Sequence, residues 1–369
     1  MKHLFETSRI KTLHLANRFV RSATWEGLAT DNGAVTPALT AMMQELALGE
    51  VGLIISSHAY VQPRGQAGPW QLGAYSDDLL DGLKAMTAAV HEAGGTIVLQ
   101  LAHAGCFSPS DLTGMEPLAV SCFEGLVDGP CREASEEDIQ DCVSDFARAA
   151  LRAREAGFDG VQIHSAHGYL LSQFLSPAYN RRTDAYGGAI ANRVRVHEAI
   201  CKAIRKQVGP EYPLLMKINS RDFVENGLSL DDAVQAGKIL ADAGLDALEI
   251  SGGTRDSQDK IPSRKGIDSK DKEAYFQEEA RAFKEAVDLP LMLVGGIRSF
   301  DVAQRLVAEG PADYISLCRP LIREPGLIKR WKNGDRRPSA CTSDNLCFVP
   351  TRKGKGLSCL TLERERQKD

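Results

Sequence analysis

Short apolar runs rich in β-branched residues recur along the chain at positions 19–24, 52–59, 96–102, 160–166, 214–220, 247–253, 291–297 and 314–319. Their hydrophobicity is near-continuous, not alternating, which marks strands covered on both faces, as in a parallel sheet. Between them, residues 79–93, 136–156, 192–207, 230–243, 271–286 and 300–309 place apolar side chains at three- and four-residue spacing, the signature of amphipathic helices. Several ends are punctuated. Ser135 stands three residues before Asp138, Ser229 precedes Asp231 and Asp232, and Gly94, Gly157, Gly244 and Gly310 occupy C-terminal positions. Eight strands alternating with helices predict an α/β fold: one (β/α)8 TIM barrel over residues 1–330, with a C-terminal extension over 331–369. A doubly wound sheet is the alternative, but no Gly-x-Gly-x-x-Gly follows any of the runs.

Composition narrows the function. The 369 residues are 43% hydrophobic, enough for a large core, and the formal charge of −5 disfavours a nucleic-acid partner. The first residues show no apolar signal segment, and no run is long enough to span a bilayer, so the expectation is a cytoplasmic protein that acts on small molecules without a membrane. A homo-oligomer is compatible with this pattern. The nine cysteines are odd in number and scattered, which suits reduced thiols better than a disulfide framework.

In a barrel of this kind the reactive groups gather where the strands run out at their C-terminal ends. Those ends carry Ser22-Ala23-Thr24-Trp25, His58, Gln100 with His103, His164 with His167 and Tyr169, Lys217, Gly253, Gly295-Gly296, and Cys318-Arg319. Gln100 and Lys217 lie on strands and point toward the barrel mouth. The glycines after the sixth and seventh strands suit close backbone approach to a phosphate, with Arg319 adding positive potential. His164, His167 and Tyr169 set three hydrogen-bonding groups within six residues. By itself His-x-x-His could be a metal pair, but the spacing is not the four-residue one of a helical zinc site and no third ligand lies nearby, so no metal site is expected. A planar ligand with a phosphate tail is the simplest guest.

These residues fall in motifs that resemble the Old Yellow Enzyme family of FMN-dependent ene-reductases. The motifs are Asn17-Arg18 with Ser22, Gln100-Leu101-Ala102-His103-Ala104-Gly105, His164-x-x-His167-Gly168-Tyr169, Gln173-Phe174-Leu175-Ser176-Pro177, Asn180-x-Arg182-Thr183-Asp184-x-Tyr186-Gly187-Gly188, and Arg319-Pro320-Leu321. They run from Leu4 to about Pro325. The resemblance implies a tightly bound FMN with NAD(P)H as reductant. It implies that Ser22, Ala23 and Thr24 lie along the isoalloxazine, that Gln100 meets its pyrimidine edge, and that Lys217 stands near N1 and O2. It places Gly253, Gly295, Gly296, Cys318 and Arg319 around the cofactor, chiefly its phosphate. His164 and His167 would hold the substrate carbonyl and Tyr169 would give the proton, while Trp25, His58 and His103 would line the substrate pocket.

The chain departs from the iron–sulfur-containing branch that resembles 2,4-dienoyl-CoA reductase. Where those relatives carry a cysteine cluster, this chain has Cys341-Thr342-Ser343-Asp344-Asn345-Leu346-Cys347 and a later Cys359, with Asp344 in place of a thiolate. Loss of the cluster is therefore expected, since soft thiolates are the usual ligands. The expected activity is reduction of the C=C bond of α,β-unsaturated carbonyl compounds. Two other readings stand beside it: a flavin-dependent amine or N-methyl dehydrogenase, and a non-catalytic flavin-binding protein.

Overall fold

The computed structural model describes residues 2–367. Eight parallel strands close into a barrel: β1 (Phe19–Arg21), β2 (Leu53–Tyr60), β3 (Ile97–Ala102), β4 (Gly160–Ser165), β5 (Leu214–Asn219), β6 (Ala247–Ser251), β7 (Leu291–Leu293) and β8 (Tyr314–Leu317), with β8 pairing back onto β1. Every residue of these strands is buried, which is why the runs read as continuously apolar. The floor of the barrel is closed by a hairpin, Ser8–Ile10 with Leu13–Leu15. Its Ile10, Leu13 and Leu15 pack on Val20, Leu53, Val98, Leu215 and Met292, the inward layer at the strand starts.

The helices carry the outer shell. Glu136–Glu155 begins at a full capping box, in which the Ser135 hydroxyl accepts from Asp138 N and the Asp138 carboxylate accepts from Ser135 N. Leu230–Asp242 has the simpler cap, in which the Ser229 hydroxyl accepts from Asp232 N. One barrel helix has no counterpart in the periodicity, Pro37–Leu48, although Thr36 caps it and Pro37 opens it. The helix expected from 271 starts at Gln277. The residues before it are held out of the helix by contacts with the chain after β7. Glu273 accepts from Arg298 N and Ser299 N, and Tyr275 N donates to Gly295 O.

Residues after Trp331 fold back across the barrel mouth. Ser339 N donates to Arg298 O, the Asn345 amide donates to Ser263 O, and Leu357 N donates to Glu26 O. Gly27, at φ +60°, lies so close to Thr351 that a Cβ would meet its methyl at 2.4 Å, so this contact requires glycine.

The thiols depart from the expectation of uniform reduction. Cys122 and Cys131 form a disulfide across the loop that follows β3, their Cα atoms 6.1 Å apart. Seven cysteines are free, and Cys106, Cys142, Cys201 and Cys347 among them are buried. No helix among the described residues is long and apolar enough to cross a membrane.

Candidate active site

The C-terminal ends of the strands open into a cavity of about 490 Å³. Ser22, Ala23, Thr24, Trp25, His58, Gln100, His164, His167, Tyr169, Lys217, Gly296, Cys318 and Arg319 all line it. Three expected residues do not. Strand alternation turns His103 to the face opposite Gln100. There its ring lies under the Gly65 backbone, Nε2 stands 3.1 Å from Gln62 Oε1 and Nδ1 accepts from Gly105 N. Gly253, at φ +81°, lies where a Cβ would meet Lys260 O at 2.3 Å, so it serves loop packing. Gly295 lies behind the lining, its carbonyl taking the Tyr275 N–H.

His58 belongs with the histidine pair more closely than its sequence position suggests. An irregularity in β2 between Ile55 and His58 shifts the register and sets His58 beside Gln100. Ring centroids then lie 6.2 Å apart for His58 and His164, 5.7 Å for His58 and Tyr169, 5.1 Å for His164 and His167, and 5.0 Å for His164 and Tyr169.

Neighbours set the proton positions. Ala67 N donates to Gln71 Oε1, which turns the Gln71 amide nitrogen toward His58 Nδ1 at 2.7 Å. Ala166 N donates to His164 Nδ1 at 3.2 Å. With Nδ1 accepting, each neutral ring carries its proton on Nε2. His167 Nε2 lies 2.8 Å from Ser251 Oγ. Its backbone is left-handed, at φ +64°, unusual for a residue with a side chain. Asn219 Oδ1, accepting from His167 N, and a bridge to Thr254 hold it there.

Burial decides the protonation states. It pushes His58 down to about 4, with Arg21 and Lys217 adding to the effect, and pushes His164 and His167 well below the usual imidazole range. Burial raises Tyr169 to about 12, so its phenol stays protonated. The cluster is thus a set of neutral donors at pH 7.

The same burial reaches beyond the cavity, pushing His103 and His197 down to about 3. Each of these histidines binds a proton in the unfolded chain below about pH 6.5 but not in the fold, so stability is fully present above that pH and falls as pH drops. Each costs up to about 1.4 kcal/mol per pH unit in that window. We expect a clear fall in the urea midpoint between pH 7 and pH 5, above the range where carboxylates titrate. An unchanged midpoint would contradict neutral burial.

Beneath the cavity runs a polar layer that crosses five strands. Glu249, fully buried on β6, accepts from Ser22 Oγ at 2.6 Å, Lys217 Nζ at 3.2 Å and Gln162 Nε2 at 3.0 Å. Lys217 Nζ also donates to Ser22 Oγ, and Gln100 Nε2 donates to Gln162 Oε1 at 2.6 Å. Glu249 and Gln162 escaped the motif reading, although a carboxylate inside the apolar run Ala247-Leu248-Glu249-Ile250 is itself a signal of a buried partner.

The family profile of NADH:flavin oxidoreductase / NADH oxidase matches residues 3–337. The chain belongs to that family. Among its relatives, an NADH oxidase of Thermoanaerobacter brockii is 35% identical over 367 residues, covering 96% of this chain and 54% of that protein. The chain therefore spans about half the length of that relative. An NADPH dehydrogenase of Bacillus subtilis (strain 168) is 34% identical over 325 residues, covering 88% of this chain and 92% of the relative. An Old Yellow Enzyme homologue of Zymomonas mobilis superposes with a TM-score of 0.77 at 27% identity, covering 93% of this chain and 96% of that one.

The family implies FMN, and the cavity's residues fit it. Ser316 lines the cavity, and its Oγ is buried without a hydrogen-bond partner among the described residues, an orphan that a ligand would satisfy. Gly296, at φ +70°, leaves room that a Cβ would lose against Tyr275 at 2.8 Å. Arg319 and Arg298 supply positive charge beside it.

The tail thiols have other partners. Asp344 accepts from Thr342, Thr361 and Leu346 N, which hold its carboxyl below the usual range. Cys359 Sγ accepts from Arg323. Burial pushes the Cys347 thiol up to about 12. The space among Cys341, Asp344, Cys347 and Cys359 is about 10 Å³, and among the described residues no three His, Cys, Asp or Glu side chains are grouped to hold a metal.

Proposed function

We propose that the protein is an FMN-dependent reductase of the C=C bond of α,β-unsaturated carbonyl compounds, driven by NAD(P)H and working without an iron–sulfur centre. One observation carries the reading: a cluster of neutral imidazole donors and a protonated phenol faces a cavity lined by cations. FMN, when bound, supplies a hydride to the substrate's β-carbon. Ser22, Ala23, Thr24, Gln100 and Lys217 would hold its ring system, and Gly296, Ser316 and Arg319 its phosphate end.

The chain's own residues do the rest. Negative charge grows on the carbonyl oxygen as the hydride arrives, and preorganised donors stabilise it most in a site shielded from water. His164 offers Nε2–H. If Ser251 Oγ donates to His167 Nε2, His167 offers Nδ1–H. His58 Nε2–H is a third donor in the same cavity. Tyr169 gives its proton to the α-carbon, a step suited to an acid that stays protonated at neutral pH. Lys217, paired with Glu249, brings positive charge to the cavity floor.

The cavity speaks against the amine reading. Lys217, Arg255, Arg298 and Arg319 line it, and no carboxylate does among the described residues. A methylated amine is a cation at neutral pH and would meet like charge there.

The test uses flavin-loaded protein, reduced anaerobically with NADPH or NADH and mixed with 2-cyclohexenone. We expect the flavin to reoxidise at a rate that saturates with enone. Failure with a panel of simple enones, together with flavin bleaching by a methylated amine, would overturn the reading.

A further inference from the structure

The loop after β6 puts one cation where the chemistry described so far has no use for it. Three of the four cations lining the cavity are engaged. Lys217 is bound to Ser22 and Glu249, Arg298 donates to Ile267 O and Ser339 O, and Arg319 donates to Arg264 O and Asn345 Oδ1 beside Gly296 and Ser316. Arg255 differs. Among the described residues its ion pair is with its neighbour Asp256 alone, through Nε at 3.3 Å, and both side chains are more than half exposed, at 55% and 51%. Neither Nη group of Arg255 makes a hydrogen bond among the described residues.

The position is set by the substrate end of the cavity. Thr254 bridges His167 across the barrel mouth, so Arg255 follows directly on the residue paired with the histidine turn. The guanidinium stacks over the Phe107 ring at 4.0 Å. Phe107 packs edge-on against Tyr179, and the Tyr179 hydroxyl donates to Asp256 at 2.9 Å. Gly168 lies between Phe107 and Thr254, where a Cβ would come within 3.0 Å of one and 3.4 Å of the other. Phe107, Gly168 and Thr254 thus tie the arginine's platform to the segment that carries His167 and Tyr169. Stacking orients the planar fork and leaves its two Nη edges free, the geometry that binds a carboxylate in a bidentate manner.

We propose that Arg255 is a substrate-binding residue that recognises a carboxylate carried on the substrate away from its reacting double bond. The preferred substrate class is then an α,β-unsaturated carbonyl compound bearing a separate carboxylate. This rests on the reductase reading for its double bond, but the anion contact is a separate claim. The imidazoles are neutral and serve charge that develops during reaction. A permanent charge needs a permanent countercharge, and Arg255 is the cation with free donors.

The test compares an acid with its ester. Flavin-loaded protein is reduced with dithionite, which keeps NAD(P)H out of the cavity, and mixed anaerobically with 6-oxonon-7-enoate, whose carboxylate is insulated from the enone by four methylenes, or its methyl ester. We expect the second-order rate constant for reoxidation to favour the acid by about tenfold in the native protein, consistent with a partly screened charge contact. The acid-to-ester ratio should fall to within about threefold in Arg255→Gln, recover in part in Arg255→Lys, and shrink with added salt. A ratio near one in the native protein, or a ratio that survives Arg255→Gln, overturns the proposal.

Calorimetric titration of the oxidised, flavin-loaded protein with 4-hydroxybenzoate and its methyl ester separates the two claims, because binding needs no turnover. If neither enone reoxidises the flavin but the acid binds more tightly through Arg255, the reductase reading fails and the anion site stands. If acid and ester bind alike while both enones react, the anion site fails and the reductase reading stands.

Discussion

Tyr169→Phe is expected to slow reoxidation of the reduced protein by an enone by about 10²–10⁴-fold, the usual worth of a positioned general acid. Flavin reduction by NAD(P)H should keep its rate, since that step needs no proton from the phenol. The substitution removes one oxygen from a buried ring whose neighbours, His58 and His164, stand 5.7 and 5.0 Å away centroid to centroid, so the packing survives. A stopped-flow comparison of the two half-reactions decides the matter. Equal enone rates in the two proteins would remove Tyr169 as proton donor and leave solvent to supply the proton. The pH dependence should agree. With Tyr169 raised to about 12 and His58 lowered to about 4, none of these groups changes charge between pH 6 and pH 9. The enone step should therefore be flat across that window.

The barrel was legible because its physics is local. Strands covered on both faces are largely apolar, and every one of the eight runs overlaps a strand of the closed sheet. The missed elements are those whose burial comes from elsewhere in the chain. The hairpin Ser8–Ile10 and Leu13–Leu15 is too short to show a period, and its apolar residues make sense only as the plug of a barrel not yet formed. Pro37–Leu48 carries its start signal in Thr36-Pro37 but only a weak apolar face.

The cavity followed the same division. Residues at strand ends were placed by alternation and motif, so thirteen of the expected sixteen line it. His103 shows the limit, because three residues beyond Gln100, just past the end of β3, the alternation has turned it to the other face. His58 shows the reverse, since a shift in register that no local pattern announces carries it into the histidine cluster. The disulfide between Cys122 and Cys131 lay beyond reach for a related reason: a loop with a sequence separation of 9 can bring two thiols together or keep them apart, and composition does not say which.

Glu249→Leu is expected to destabilise the fold by about 3–5 kcal/mol, the cost of stripping one partner from a buried ion pair. The leucine itself fits an apolar strand, so the loss would come from what it leaves behind. Lys217 Nζ, with its side chain 4% exposed, would keep Ser22 Oγ as its sole partner in the layer, and Gln162 Nε2 would lose its acceptor. Removing the charge as well should restore much of the loss. The double variant Glu249→Leu with Lys217→Met is therefore expected to unfold at a higher urea concentration than Glu249→Leu alone. If the second substitution instead adds to the damage, the pair does not account for the stability of the layer.

The milder Glu249→Gln keeps the shape and most hydrogen bonds while removing the countercharge. It leaves Lys217 as uncompensated positive charge beside the ligand cavity, so bound flavin should become easier to reduce, its potential shifting in the positive direction. A potential that moves the other way, or not at all, would mean that Lys217 does not act on the cofactor. The buried carboxylate would then be no more than a strut between β5 and β6. If the shift is positive, Glu249 both holds the lysine in place and tempers its charge, which explains a carboxylate between Leu248 and Ile250 at the centre of a buried strand.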